Sequence, residues 1–299
     1  MILIACPQSR NGRARRWWPY WLDRLATAGV DARLIQTEYP GHATEIVAAS
    51  EETVVAVGGD GTISEVLCGV LQGGKSVKMG VLYAGTSPDF CAFHGIPTKP
   101  DLAVETLIAA RSKRVDLLRL AYHDAEGNPA SAHCGCSCNV GFGGRVARFA
   151  NRYRRFLGDT PGTMLGVLKA IALSSPADVT VEIDGRMQHL SRCNHLVLMK
   201  NPYIASGLRL DLPLANDDGR AFAVAVMGQG RIGLCLRLPG FYTGKIVHRT
   251  DVFLEPFSHV RVTAAKPVEV EFDGDPRGFL PVEAELVSRC LDLIGATDA

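Results

Sequence analysis

The stretch that most narrows what this chain can fold into is Val54-Val55-Ala56-Val57-Gly58-Gly59-Asp60-Gly61-Thr62-Ile63-Ser64-Glu65-Val66-Leu67. Four consecutive β-branched or small apolar residues suit a buried strand, and strands of this kind belong to parallel sheets covered by helices. The glycines permit a tight turn with positive φ, and Ile63, Val66 and Leu67 then recur at helical spacing. Three glycines in four positions also let backbone N–H groups and the following helix N-terminus face phosphate oxygens. Asp60, in the middle of the turn, would add a carboxylate for a phosphate-bound Mg²⁺. A Gly-Asp-Gly loop that merely reverses the chain is the plainer reading of the same residues. The turn from Gly58 to Thr62 itself fits neither the Walker lysine pattern nor Gly-x-Gly-x-x-Gly.

The alternation of strand and helix extends through the first 120 residues. Ile2 to Cys6 precedes Trp17 to Ala28, and Ala32 to Gln36 precedes Ala43 to Ala49. A further apolar strand, Lys78 to Tyr83, enters a second Gly-rich turn, and Leu102 to Arg111 reads as the closing helix. This predicts an N-terminal α/β domain with a parallel sheet that binds its ligand at the carboxyl ends of the strands. After Val115 the texture changes to short runs of Val, Leu, Ile and Phe between turn signals such as Glu126-Gly127-Asn128-Pro129, Asp184-Gly185, Asp218-Gly219 and Asp273-Gly274. A mostly antiparallel second domain is expected there, interrupted by one helical insertion from about Val146 to Ala172. The boundary falls near residue 118.

Composition limits the partners. With 47% hydrophobic and 21% charged residues the chain is globular. Its 32 Lys and Arg nearly balance 31 Asp and Glu, so nucleic acid is not an expected partner and any anionic surface must be met by a local patch. No apolar run is long enough to span a bilayer, and the start lacks a basic segment before a long apolar core, so a cytoplasmic protein is expected. Nine cysteines in a chain of this size point to reduced thiols. His133-Cys134-Gly135-Cys136-Ser137-Cys138 could suggest a metal, but as a strand it would place three thiols on one face as a core stripe. Arg145 to Leu157 carries five arginines and no acid, with Val146, Phe149, Tyr153 and Phe156 at helical spacing. Such a segment is either a contact for an anionic membrane surface or a solvated basic face over a core stripe.

Gly58-Gly59-Asp60-Gly61-Thr62 with Glu65-Val66 resembles the nucleotide loop of the diacylglycerol kinase catalytic-domain family. Its wider superfamily includes sphingosine and ceramide kinases, NAD kinases and phosphofructokinases. Gly80-Val81-Leu82-Tyr83-Ala84-Gly85-Thr86-Ser87-Pro88-Asp89-Phe90, ending in Gly95-Ile96-Pro97, looks like the lipid-kinase signature in which a strand meets Gly-Thr-Gly-Asn-Asp-Phe. Arg114-Val115-Asp116, Asn139-Val140-Gly141-Phe142-Gly143, Asn201, Asp218-Gly219 and Asp273-Gly274 follow in the family's order.

The resemblance implies an α/β nucleotide-binding domain over 1–118, to which 281–299 returns, and a β-sandwich domain over 119–280, with ATP between them. It implies an ATP-dependent kinase acting on a lipid hydroxyl. Thr37 and the turn Gly58, Gly59, Asp60, Gly61, Thr62, Ile63 and Ser64 would line the nucleotide, with Thr86 beside its phosphates. Asp60 and Asp89 would organise the catalytic Mg²⁺, and Asp275 would be the general base. A structural Mg²⁺ is implied on the side chain of Asp218 and the carbonyls of Ala215 and Arg220, although Asp-Asp-Gly is also an ordinary hairpin turn. The chain departs from the family pattern at Cys6-Pro7, at Ser87-Pro88, and at Asp275, where relatives carry Glu. An NAD kinase, or a non-catalytic lipid or nucleotide sensor on the same fold, stays open at this point, as does a homodimer.

Overall fold

A computed structural model describes every residue except 11, 75, 205–207, 298 and 299, and leaves the side chains of 151, 154, 155, 159 and 160 undescribed. Four short strands, β1 (Ile2–Ala5), β2 (Arg33–Gln36), β3 (Val54–Gly58) and β4 (Lys78–Tyr83), pair in parallel in the order β2-β1-β3-β4. Between and after them lie α1 (Trp18–Thr27), α2 (His42–Ala48), α3 (Asp60–Gln72), α4 (Asp89–His94) and α5 (Pro100–Ala109). Alternate strand residues serve opposite faces. Ile2, Ile4, Val54, Ala56 and Val81 join the core beneath α2 and α3. Leu3, Ala5, Val55, Val57 and Leu82 meet Trp21, Leu25, Val104 and Leu107 of α1 and α5 on the other face. Burial on both faces is why β1 and β3 read as unbroken apolar runs.

Two long antiparallel strands carry the chain out of this sheet and back. β5 (Ser112–His123) leaves it, and β16 (Asp275–Ile294) returns to pair with β5 at Leu291–Ile294 and, in parallel, with β4 at Lys78 and Met79. The intervening strands are β6 (Pro129–Cys134), β7 (Ser137–Gly141), β8 (Ala177–Ile183), β9 (Arg186–Met199), β10 (Tyr203–Ile204), β11 (Leu208–Arg209), β12 (Ala221–Met227), β13 (Val252–Phe257), β14 (His259–Ala264) and β15 (Glu269–Phe272). All of these pair antiparallel, so the sheet as a whole is mixed. Pairing runs from β16 through β14, β8, β9, β7 and β15 back to β16, closing a ring around Val140, Val181, Leu196, Leu198, Val260 and Val270. Asp184-Gly185 and Asp273-Gly274 are two-residue hairpin turns with both residues at positive φ, as the right-handed strand twist requires.

Three sequence expectations need correction. The helical insertion is a hairpin of two helices, α6 (Phe142–Leu157) and α7 (Asp159–Ala172), joined at Gly158 with φ 78°. They pack so closely that a Cβ on Gly166 would lie 2.7 Å from the Ala150 nitrogen. A further helix, α8 (Arg231–Tyr242), arises where Ile232, Leu234, Leu236 and Leu238 alternate like a strand. Leu234 packs inward with Leu238 on Ile171 and Val167 of α7, leaving Ile232 and Leu236 exposed. The cysteine run is not one strand, because the chain turns at Gly135-Cys136 between β6 and β7. Cys134 and Cys138 fall in the core of the closed ring, and Cys136 in the core under α3. Among the described residues no helix is long and apolar enough to cross a membrane.

Candidate active site

The carboxyl ends of β3 and β4 meet at two glycine loops. The Ala84 N–H donates to the Gly58 carbonyl at 2.7 Å, and a Cβ on Gly85 would stand 2.5 Å from the Gly59 Cα. Gly58, Gly59 and Gly61 are absent from the residues with positive φ, so at Gly58 and Gly59 close approach, rather than a left-handed backbone, favours glycine. A Cβ on Gly58 would lie 2.3 Å from Thr62 Oγ1, and one on Gly61 would come within 3.5 Å of Asp275 Oδ2. The helix α3 begins directly at Asp60, leaving its first-turn N–H groups at this junction.

Four carboxyl groups converge on that helix end, with a fifth, Glu271, behind them in the same hairpin as Asp273 and Asp275. Asp60 sits in the first turn of α3, and its shielded Oδ1 has no hydrogen-bond partner among the described residues. Burial, followed by the charges of Asp89 and Asp273 and then of Asp275, pushes its carboxyl up to about 8. Asp89 opens α4, is 8% exposed, and accepts the Ser87 hydroxyl at 3.1 Å. Asn201 Nδ2 holds the Asp89 carbonyl at 3.0 Å. Asp275 begins β16 at the rim, with its side chain 49% exposed and Arg277 at 3.5 Å.

The remaining two carboxyls, Asp273 and Glu271, were not singled out as site residues from the sequence. Asp273 accepts the Gly135 and Cys136 N–H groups at 3.2 and 3.0 Å, the Cys134 thiol at 3.1 Å, and the Ser64 hydroxyl. Burial still raises its pKa against these donors. Glu271, 4% exposed, accepts the Gly274 N–H at 2.6 Å and is pushed by burial up to about 8. The hairpin that presents Asp275 is thus clamped from inside by its own acids.

The other expected nucleotide contacts divide. Thr37 lies half-buried just past β2, with its N–H on the Ala5 carbonyl at 2.9 Å, and Thr86 is exposed after β4. Thr62 packs against Gly58. Ile63 and Ser64 do not line the loop: each is 2% exposed, Ile63 in the core and Ser64 turned to Asp273. The Ile63 N–H is already spent on the Gly59 carbonyl at 3.0 Å. Pro88 occupies the position just before α4, where the missing N–H costs little because a helix leaves its first donors unpaired anyway.

The expected structural metal site also differs. Asp218 and the Ala215 carbonyl are together, but they hold the Lys200 ammonium, at 2.5 and 2.7 Å respectively. Arg220 contributes its N–H to Asp218 at 3.1 Å. The residues therefore do not fit a metal ion at this position.

Two family models match the chain, the diacylglycerol kinase catalytic domain over residues 1–120 and the YegS C-terminal NAD kinase beta sandwich-like domain over residues 136–295. This chain belongs to the diacylglycerol kinase family. The diacylglycerol kinase of Staphylococcus carnosus (strain TM300) is 24% identical over 290 residues, 93% of this chain and 89% of the relative. A crystal structure of a diacylglycerol kinase from Bacillus anthracis str. Sterne superposes with a TM-score of 0.69 at 17% identity, covering 98% of this chain and 95% of the other. Yeast NADH kinase in complex with NADH shares the fold more distantly, at TM-score 0.55 and 14% identity over 99% and 83% of the two chains. The protein is a lipid kinase. In this kinase Asp60 and Asp89 come from the first matched span, and Glu271, Asp273 and Asp275 from the second.

A nucleotide-bound Mg²⁺ would fit this cluster. Among the described residues no three Asp, Glu, His or Cys side chains are arranged to hold a metal ion by themselves. Mg²⁺ at kinase sites takes only one or two protein carboxylates and completes its shell with phosphate and water. The unpartnered Asp60 oxygen, with Asp89 beside it, supplies that kind of donor.

Proposed function

We propose that this lipid kinase transfers the γ-phosphoryl group of ATP to the hydroxyl of a diacylglycerol-like membrane lipid. The observation that carries the proposal is the buried, unpartnered Asp60 oxygen at the N-terminus of α3, facing acids from the other part of the chain. Left without a cation, those acids repel one another, so the site is built for a positive charge brought in with the nucleotide. The packed glycines would let the phosphates approach the backbone, and the first-turn N–H groups of α3 would face their oxygens. Thr37 and Thr86 would flank the nucleotide. A bound Mg²⁺, held by Asp60 and Asp89 directly or through water, would screen the charge on the transferred group. As the lipid oxygen forms its bond to phosphorus and the bond to ADP breaks, the Asp275 carboxylate would take the hydroxyl proton. Asp273 and Glu271 would act by positioning, since Asp273 is occupied by the Gly135-Cys136 turn and Ser64, and Glu271 by the Gly274 N–H.

We assign nucleotide binding to residues 1–118 with 281–299, and the β-sandwich to 119–280. A cytoplasmic enzyme with such a substrate must touch a membrane surface. Of the arginines on α6, Arg148 pairs with Glu269 at 3.0 Å and Arg145 donates to the Leu173 carbonyl at 2.6 Å. Arg152 is exposed, and Arg155 lies outside the described side chains. Phe149 and Tyr153 face Lys169 of α7, whereas Phe156, expected within the same inward stripe, is 81% exposed. Exposed Phe156, Met164, Leu168, Ile232 and Leu236 on α6, α7 and α8, with Arg152, form the apolar and basic contact proposed for an anionic bilayer. Incubation with γ-labelled ATP and a mixed lipid extract tests the activity. Label in a lipid product supports it, and no labelled lipid, or labelled NADP in a parallel incubation with NAD as the acceptor, rejects it.

A further inference from the structure

The oxygens that the sequence marks out for a structural metal already surround a cation supplied by the chain. Lys200 follows β9 and is 1% exposed. Its Nζ lies 2.5 Å from Asp218 Oδ1, 2.7 Å from the Ala215 carbonyl and 3.0 Å from Asp116 Oδ2. An ammonium has three donors, and all three are matched.

The two carboxylates are otherwise filled by backbone. Asp116 accepts the Gly219 and Arg289 N–H groups, each at 2.8 Å. Asp218 accepts those of Ala215 and Arg220 at 2.9 and 3.1 Å. The neighbouring Asp217 has its own cation in Lys113 at 3.1 Å. A Mg²⁺ ion needs about six oxygens at roughly 2.0–2.1 Å, and the Lys200 nitrogen occupies the centre from which it would reach them.

We propose that the Lys200 ammonium does the work of a bound divalent cation at this node, so that the fold holds there without metal. The node ties β5 through Asp116, the end of β9, the loop 214–220 and β16 through Arg289. It also adjoins the active site, because the next residue, Asn201, holds the Asp89 carbonyl. Removing the lysine would leave the buried Asp116 carboxylate, the partly exposed Asp218 carboxylate and a carbonyl around a gap of cation size.

The test uses the full chain without nucleotide, on an Asp60→Asn background that removes the catalytic cation site. Melting in EDTA and in excess MgCl₂ should give the same Tm on this background. Adding Lys200→Met should lower Tm in EDTA on the order of 10 °C, as expected when the buried Asp116 and its neighbour Asp218 lose their cation. Mg²⁺, Mn²⁺ or Ca²⁺ should restore part of that loss. If the double variant folds only when a divalent ion is added, the proposal is supported as well. An unchanged Tm in EDTA, or a loss that no divalent ion relieves, would overturn it. Elemental analysis of dialysed Asp60→Asn protein decides independently of how the lysine variant folds: a stoichiometric divalent ion would refute the replacement, and its absence is the expected result.

Discussion

Asp60→Asn should make the nucleotide-free protein more stable while abolishing phosphoryl transfer. The folded carboxyl titrates at about 8 instead of 3.8, because of burial first and the surrounding acids second. A carboxyl raised in this way favours the folded state only while it carries its proton. The stability is fully present below the unfolded value of 3.8 and is lost as pH rises through about 8. At pH 7 the part of the shift already felt, from 3.8 up to that pH, is worth at most about 4 kcal/mol at 1.36 kcal/mol per pK unit, and local relaxation should leave about 2 kcal/mol. Asparagine keeps the shape and removes the need to take up a proton on folding, so Tm should rise by roughly 4–8 °C in a domain of this size. Because the penalty grows with pH, the gain measured by urea or thermal unfolding should be larger at pH 8 than at pH 5. An equal gain at both pH values, or a less stable variant at pH 8, would refute the electrostatic reasoning. Near-normal transfer by the folded variant would refute the role in holding Mg²⁺.

Two other substitutions probe the rim and the surface. Asp275→Asn should lower turnover by about 10² to 10⁴, typical of a lost general base, with little change in nucleotide affinity. Asp275→Glu should keep measurable activity, and steady-state kinetics with equilibrium nucleotide binding separates these outcomes. Phe156→Ser combined with Leu168→Ser should weaken sedimentation with anionic vesicles while sparing turnover of a short-chain, water-soluble acceptor. Unchanged vesicle binding would place the membrane contact elsewhere.

β1, β3 and most of β4 were legible because burial on both faces leaves near-continuous apolar runs, and the Gly-Asp-Gly turn marks where one of them ends. Asp60, Asp89 and Asp275 were found through a motif resemblance, and the structure brings them together. Asp273 and Glu271 escaped because an Asp-Gly turn usually faces water. The long-range approach of the Gly135-Cys136 turn, with its two N–H donors, the Cys134 thiol and Ser64, draws Asp273 inward. The inward rotation of Ile63 and Ser64 was available from helical periodicity once α3 is counted from Asp60. The helix α8 was hidden by accidental alternation, since Leu234 and Leu238 are spaced equally well for one helix face. Lys200 ends an apolar strand, where a lysine ordinarily marks the return to solvent. Its partners Asp116 and Asp218 lie 84 and 18 residues away and give no local sign of the pairing.

The most direct test of the proposed chemistry is transfer of the γ-phosphoryl group from ATP to an extracted lipid by the wild-type chain, followed in parallel with Asp60→Asn and Asp275→Asn. Labelled phospholipid formed by the wild type, lost in Asp60→Asn and strongly reduced in Asp275→Asn, is the expected result. A wild type that binds ATP but labels no lipid, while Asp275→Glu does label it, would instead identify a degenerate kinase that serves as a sensor.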